Sequence, residues 1–595
     1  MSRTAHKLLS ASGSKGAYEI DQSVLLDDGD GALLHRTPSS EGNRKTWTFS
    51  CWFKRGQQDS TDNASGYYYL FGSSIYGGNE TYIRVQGDHL HVSGYDGGSS
   101  DFSYYSNFLL RDLAAWYHVV VICDTTESAE ADRVKVYLNG SQVTDWSGAN
   151  HASLNFDTMI NNTNWHAVGA YKASSGDGGL YRWDGYVAEA YLLDGTAKAV
   201  TAFGETDSET GQWIPKKTAF TSSEYGTNGF YLKFKSGAIG TDSSGKGNNY
   251  TTVNLANSDV MLDTPTNNYC TLNSTASGGS IFSQGNLKCT TGSNTNRIAV
   301  GTMSTPSSGK WYWECKPTSL TGGLGIGVGN IGSYRTSVNS YIGNYAGTYL
   351  WYSYNTYGYK DVNGSNSSVA QSFIANDVVG VALDLDAGTL TMYKNGSSQL
   401  QVASGLSGQF EPVFGDGSGS NAATFEVNFG QKAFVYTPPS GFKSLNTTNM
   451  PDPTIKNGTD HFNTVLYTGN ETNRSITGVG FEPSWVWIKE RSAGGSHRIF
   501  DQVRGVNKVL QSDLDREELD RTEVTAFNAD GFSLSGSSVT VNQNNVTHVA
   551  WNWKGGGSGS TNTDGSINST VSANTTAGFS IVTWTGNGNV VTVGH

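Results

Sequence analysis

The sequence predicts an all-β protein made of tandem antiparallel β-sandwiches followed by a smaller, mostly-β repeat domain, and three observations predict it. Seventy-four glycines stand beside only 11 prolines and are joined by 15 Trp, 31 Tyr and 24 Phe, a mixture of turn formers and of residues that suit a pleated strand. Short aromatic and β-branched runs bounded by Gly, Asn, Asp and Ser recur along almost the entire chain. Helical periodicity is scarce: the best segment is 511–521 (QSDLDREELDR), where Leu514 and Leu519 give a thin apolar face among many charges and predict one solvated surface helix. At 595 residues the chain is too long for one core, and ordinary domain sizes suggest about four units.

Composition narrows the function. Charged residues make up 15%, so Asn, Ser, Thr and Gly must wet most of the surface, which suits contact with neutral polar ligands. A formal charge of −13 argues against a phosphate-backbone binder, so nucleic acid is not an expected partner. No run approaches the ~20 apolar residues of a membrane helix, and Met1 to Lys7 does not lead into the apolar core of a signal peptide. The expectation is synthesis in a cytoplasm, without membrane insertion or export by the common route. Cys51, Cys123, Cys270, Cys289 and Cys315 show neither a CxxC pair nor zinc-finger spacing with His, and free, packed thiols are expected.

The first sandwich is expected over 21–211, after an anchor segment at 1–20. Residues 46–53 (TWTFSCWF) alternate apolar and polar side chains, so one face of that strand meets a core. Residues 116–123 (WYHVVVIC) are more continuously apolar, as a central strand allows, and His118 within them reads as a packed, hydrogen-bonded core residue. The Asn139-Gly140 pair that ends 134–140 is a hairpin signal, because both residues tolerate positive φ. Residues 186–191 alternate again. The order "TWTFSCWFK", "WYHVVVICD", "VYLNG", "DGYVAEAYLLDG" resembles laminin G-like and concanavalin A-like jelly rolls. That resemblance implies two curved antiparallel sheets with rim loops that in some members hold sugars or calcium.

Residues 212–268 read as a connector whose strands, such as 230–234, could complete the edge of a neighbouring sandwich. A second sandwich follows at 269–447. Val379, Val381 and Leu383 alternate with Gly380, Ala382 and Asp384, and Lys394-Asn395-Gly396 returns the chain through a hairpin. The segments "GKWYWECKP", "GLGIGV", "DVVGVALDLDAGTLTMYKNG", "FEPVFGDG" and "FEVNFGQKAFVYTPPSGF" occur in the order of a SPRY domain, and the resemblance implies a non-catalytic binding sandwich. A β-rich domain is expected at 448–554, a flexible Gly/Ser linker at 555–577 and the start of a second repeat at 578–595. Trp584-Thr585-Gly586-Asn587 echoes Tyr467-Thr468-Gly469-Asn470 there, so the chain reads as part of a longer repetitive one.

Catalytic constellations are thin. Asp384 and Asp386 sit two apart near a hairpin, where turn capping explains them; a retaining glycosidase needs two carboxyls ~5 Å apart across a cleft. No G-x-S-x-G elbow occurs, and the Gly-rich run 323–328 has no P-loop Lys after it, so close sheet packing accounts for it. The expectation is no enzyme, no catalytic residue and no cofactor. Asp28 and Asp30 in the Asp-Gly-Asp-Gly turn are weak calcium candidates that lack the distal bidentate Glu of an EF-hand loop.

Aromatic density is the remaining signal. Tyr67, Tyr68, Tyr104, Tyr105, Tyr349, Trp351, Tyr354 and Tyr357 lie in Gly/Ser/Asn-rich surroundings, where rings can stack on sugar faces while amides bind hydroxyls. Core or inter-subunit packing is the competing account of each. The stretches "HKLLSASG", "LLHRTPSSEGNRKTWTFSCWFKRG" and "TGVGFEPSWVWIKERS … WNWKGGG", with the SPRY-like middle, resemble tail fibre proteins of marine tailed phages. The resemblance implies a virion location, a homotrimer, docking to the tail or an adaptor through the N-terminus, and binding of a host surface glycan or receptor. A purely structural spacer or capsid-attached fibre and a polysaccharide-depolymerising tailspike are the alternatives.

Overall fold

The computed structural model describes residues 18–56, 66–75, 78–172, 179–276, 280–291, 298–330, 343, 345–354, 356–416 and 422–595. Strands dominate, the 3-10 helices are single turns, and no helix among the described residues is long and apolar enough to cross a membrane. The chain forms two compact units, 1–207 with 212–452, and 208–211 with 453–595.

The first sandwich of the larger unit has a sheet centred on Thr46–Arg55, which pairs with Trp116–Asp124 on one side and Gly185–Asp194 on the other. Ser23–Leu26 extends it. The second sheet runs in the order Trp146–Asn150, Ser99–Ser106, His89–Asp96, Asn79–Gln86, Tyr67–Ile75, Trp165–Val168, Leu33–Arg36, Thr251–Val253. Phe49, Cys51, Phe53, Val119, Val121, Phe71, Ile83, Val92 and Phe102 fill the space between the two sheets.

The expected connector is structurally part of this sandwich. Phe230–Leu232 pairs with Gly185–Asp194, Thr251–Val253 with Leu33–Arg36, and Val260–Met261 with Ser23–Leu26. These strands are too short to stand out in a Gly/Asn-rich stretch, yet Phe230, Leu232, Phe234 and Tyr250 belong to the core. Residues 1–17 of the expected anchor lie outside the described residues, whereas Tyr18 and Ile20 pack against a second cluster with Leu25, Trp52, Trp116 and Met261.

The second sandwich pairs a sheet centred on Ala423–Asn428, Lys310–Leu320 and Val379–Asp384 with one centred on Phe410–Gly415, Leu324–Asn330 and Thr348–Tyr354. Trp313, Val379, Val381, Leu383, Ile326 and Phe414 meet between them. Gly327 sits where a Cβ would lie 2.1 Å from the Tyr349 carbonyl, so close strand approach is what that glycine-rich run provides.

In the smaller unit a six-stranded sheet, ordered Phe462–Thr468, Thr547–Trp553, Trp485–Glu490, Arg498–Asp501, Gly505–Leu510, Leu519–Asp520, packs on a three-stranded one. The helix expected at 511–521 is absent: the segment is turn and extended chain ending in the short strand Leu519–Asp520, which pairs with Gly505–Leu510. Two leucines five apart do not form a helical stripe, and backbone pairing to an existing sheet edge wins. The stretch expected as a flexible linker also carries strands: Ser560–Asn562, Ser569–Asn574 and Phe579–Trp584 make a three-stranded sheet. Phe579 brings that sheet onto Trp485 and Trp553, with ring centroids 5.7 and 6.1 Å apart. All five cysteines are free and buried.

Candidate functional site

Strand alternation splits the second sheet of the first sandwich into two chemically different faces. Tyr68, Leu70, Ile83, Val85, Leu90, Val92, Phe102 and Tyr104 point into the core. Their neighbours Tyr67, Tyr69, Tyr82, Arg84, Gln86, His89, His91, Ser103 and Tyr105 point the other way, and register aligns them: Tyr69 faces Arg84, Arg84 faces His91, and His91 faces Tyr105. Gln86 stands between Tyr67 and His89 in the next row.

Arg84 organises this outer face. Its guanidinium carbon lies 4.2 Å from the ring centroids of both Tyr67 and Tyr82, a cation–π arrangement on two rings. Nη1 donates to the Tyr69 hydroxyl at 2.7 Å, while Nη2 donates to Gln86 Oε1 at 2.7 Å and reaches His91 Nδ1 at 3.2 Å. His91 Nδ1 also lies 3.1 Å from Gln86 Oε1, and its Nε2 faces Ser103 Oγ at 2.9 Å. Burial, then the Arg84 charge, lowers the His91 pKa to about 3, so the ring is neutral. Glu80 closes the network: burial pushes its carboxyl up, while Arg84 and a hydrogen bond from Tyr69 pull it back.

Around this buried base stands a rim of partly accessible rings. Tyr67 meets Tyr181 edge-on at 5.2 Å, Tyr171 lies 5.1 Å from Tyr69, Tyr95 stacks 6.2 Å from Tyr82, and Tyr105 lies 4.6 Å from His89. Flat rings held at fixed angles beside Gln86 and His89 can accept the apolar face of a saccharide while the polar groups bind its hydroxyls.

The structure sorts the sequence candidates by this alternation. Tyr67 and Tyr105 lie on the outer face. Tyr68 and Tyr104, each 3% exposed, are core residues instead, and the Tyr104 hydroxyl lies 2.9 Å from His151 Nδ1. In the second sandwich Trp351 is fully buried, with Nε1 donating to the Gln371 carbonyl, and Tyr349 packs edge-on against Phe410. Tyr354 and Tyr357 face each other across a hairpin and are exposed. The eight candidates therefore reduce to two accessible pairs, one on each sandwich.

Tyr69, Tyr82, Arg84, His91, Tyr95 and Tyr171 also belong to this face and lie outside the sequence candidates, which follow aromatic density rather than strand alternation. The signal was present: counting by two from Tyr67, Tyr82 and His89 yields a polar-aromatic series opposite an apolar one.

Of the calcium candidates, Asp28 lies with Asp27 and Asp184, their oxygens within 4.8 Å of one another, and Asp30 stands outside that group, exposed. Burial, then the charge of Asp30, raises Asp27 to about 6. Asp384 is a turn and ion-pair residue: Oδ2 meets Lys310 Nζ at 2.7 Å and Oδ1 accepts from the Asp386 and Ala387 amides.

Residues 27–200 match the concanavalin A-like lectin/glucanases superfamily, and residues 310–432 match the SPRY domain family. The chain carries a concanavalin A-like domain and a SPRY domain. Residues 457–595 match a domain of unknown function, DUF7483, as a single stretch across both the expected linker and the expected second repeat. No curated protein matches the chain. Similar solved structures include the SPRY domain of human HERC1 (18% identity, 27% of this chain and 99% of that one, TM-score 0.23) and the TRIM65 PSpry domain (18%, 27% and 92%, TM-score 0.23). Stonustoxin is a third, at 20% identity, 27% of each chain and a TM-score of 0.22. The candidate face thus lies within the concanavalin A-like domain.

Proposed function

We propose that this chain is a non-catalytic fibre protein of a tailed bacteriophage that attaches to the host surface by laying a glycan on the outer face of the concanavalin A-like domain. One observation carries the reading: Arg84, stacked between Tyr67 and Tyr82 and hydrogen-bonded to Tyr69 and Gln86, fixes an array of rings that core packing does not require. A surface with few charges supports it, because Asn, Ser and Thr bind hydroxyls at low desolvation cost. Sequence resemblance to phage fibres supplies the virion setting, the homotrimer and the docking of the N-terminus to the tail.

The test is retention of the purified chain on an array of bacterial surface polysaccharides. Wild type is expected to be held by a subset, and Tyr67→Ala or Tyr105→Ala to weaken binding about tenfold each, ~1.4 kcal/mol per ring. Retention unchanged in the double variant would overturn this face as the site. Shortening of the retained polysaccharide on incubation would overturn the non-catalytic assignment.

A further inference from the structure

A fully buried lysine, asparagine and aspartate meet where the concanavalin A-like domain joins the SPRY domain. Lys54 lies near the end of the central strand Thr46–Arg55, on the side away from the main core, between Trp116 and Tyr186 of the flanking strands. Asp263 and Asn268 come from the segment entering the second sandwich. Lys54 and Asp263 are 0% exposed and Asn268 is 1% exposed. Lys54 Nζ sits 2.8 Å from Asp263 Oδ2 and 2.7 Å from Asn268 Oδ1, with the Tyr269 carbonyl at 3.2 Å.

We propose that Lys54 and Asn268 form an intramolecular isopeptide bond, with Asp263 as the proton acceptor. The carbonyl carbon of Asn268 lies one C=O bond beyond Oδ1, so Nζ is within about 4 Å of it, and the reaction requires the two side chains to turn so that Nζ meets Cγ at attack distance. Lys54 gives one proton to Asp263 Oδ2, the freed amine attacks Cγ of Asn268, the new C–N bond forms as the Cγ–Nδ2 bond breaks, and Nδ2 departs as ammonia with the amine's second proton, relayed by way of Asp263, which ends protonated. The overall change is ammonium, carboxylate and primary amide to secondary amide, carboxylic acid and ammonia. Atoms and charge balance, and no co-reactant is needed.

Three features favour the reaction. It removes two charges from a site sealed from water, where each carries a desolvation cost that pairing offsets only in part. The base is held in place, since Asp263 Oδ1 accepts from Trp116 Nε1 at 2.9 Å and from the Tyr269 amide at 3.3 Å. The leaving nitrogen is oriented, because Asn268 Nδ2 donates to the Ala114 carbonyl at 2.7 Å and turns Oδ1 toward the lysine. The bond would close a chain loop between positions 214 apart and staple the two sandwiches covalently.

Peptide-level mass spectrometry of the purified full chain, digested after denaturation, decides the matter. The expected result is one species in which the peptide containing Lys54 is joined to that containing Asn268, lighter than the two together by one ammonia. It should be missing from Asn268→Ala and Asp263→Asn. Recovery of the two peptides separately from wild type would overturn the proposal, and this holds even if a variant fails to fold. A link that survives in Asp263→Asn would overturn the role given to the aspartate.

Discussion

The indole N–H of Trp213 donates to Nδ1 of His118 at 2.9 Å, and that bond fixes the histidine's tautomer. Nε2 then carries the proton and donates to Ser50 Oγ at 2.8 Å, while Trp52 stacks on the ring at 4.5 Å. Burial holds His118 at about 3; His91 and His166 are lowered likewise to about 3 and 4. Unfolding lets all three bind protons near 6.5, so between that value and the depressed ones the unfolded state holds more protons and stability falls with acidification. Each contributes up to about 1.4 kcal/mol per pH unit. Urea midpoints of the larger unit are expected to drop between pH 7 and pH 5, and His118→Gln is expected to flatten the slope.

Trp213 ties the expected connector to the first domain, and its removal should show that this segment is structural. A Cβ on Gly140 or Gly204 would lie 2.3 or 2.5 Å from the indole, so the two glycines make room for the ring. Trp213→Ala removes this packing and leaves His118 Nδ1 without its donor. The expected cost is about 3 kcal/mol in denaturant unfolding. Gly204→Ala should destabilise in the same direction.

Much of the fold was legible because alternation and hairpin signals are local. The strands around Trp47, His118 and Tyr186, the Asn139-Gly140 and Asn395-Gly396 turns, and the buried role of His118 all follow from a few neighbouring residues. Strands that exist only through long-range pairing were not legible. Thr251–Val253 has no apolar alternation of its own and is recruited by Leu33–Arg36, more than 200 positions away. In the stretch expected as a linker, Val571 and Ser572 are buried and Ser572 Oγ accepts from the Gly556 amide, so a Gly/Ser composition coexists with a sheet. The candidate face is illegible to aromatic density for a different reason: adjacent tyrosines such as Tyr67 and Tyr68, or Tyr104 and Tyr105, are alike in sequence but occupy opposite environments on a strand.

That opposition gives a paired prediction for the concanavalin A-like domain. Tyr68→Ala and Tyr104→Ala open cavities in the core and should each cost about 3 kcal/mol of stability. Tyr67→Ala and Tyr105→Ala should change stability by about 1 kcal/mol or less and appear as lost glycan retention. Thermal melts and array retention measured on all four variants separate the two effects.

The SPRY domain offers the same contrast at one hairpin. Trp351 is fully buried against Phe373, whereas Tyr357 is 64% exposed. Trp351→Ala should lower stability by about 3–5 kcal/mol, and Tyr357→Ala should leave it within about 0.5 kcal/mol. Urea unfolding followed by Trp fluorescence and circular dichroism checks both values.

Glu189 is the sharpest conflict between local backbone preference and tertiary bonding. It adopts φ +46° at a register shift within Gly185–Asp194, where its carboxylate accepts hydrogen bonds from the hydroxyls of Tyr18, Tyr231 and Tyr191. Burial raises the carboxyl above its ordinary value, against the pull of those hydroxyls and of Lys233. A raised folded value means that the folded state holds the proton more tightly. Its contribution is therefore whole below the unfolded value near 4.5 and is lost as pH rises through the folded one. Glu189→Gln should remove this component, so the variant's stability relative to wild type improves from pH 5 to pH 8. Glu189→Leu leaves three phenols without their shared acceptor and should cost several kcal/mol at either pH, at about 1–3 kcal/mol for each buried hydroxyl left unpaired. Parallel urea titrations of the three proteins at the two pH values measure both effects. Equal pH slopes in wild type and Glu189→Gln would show that the carboxyl does not titrate between them.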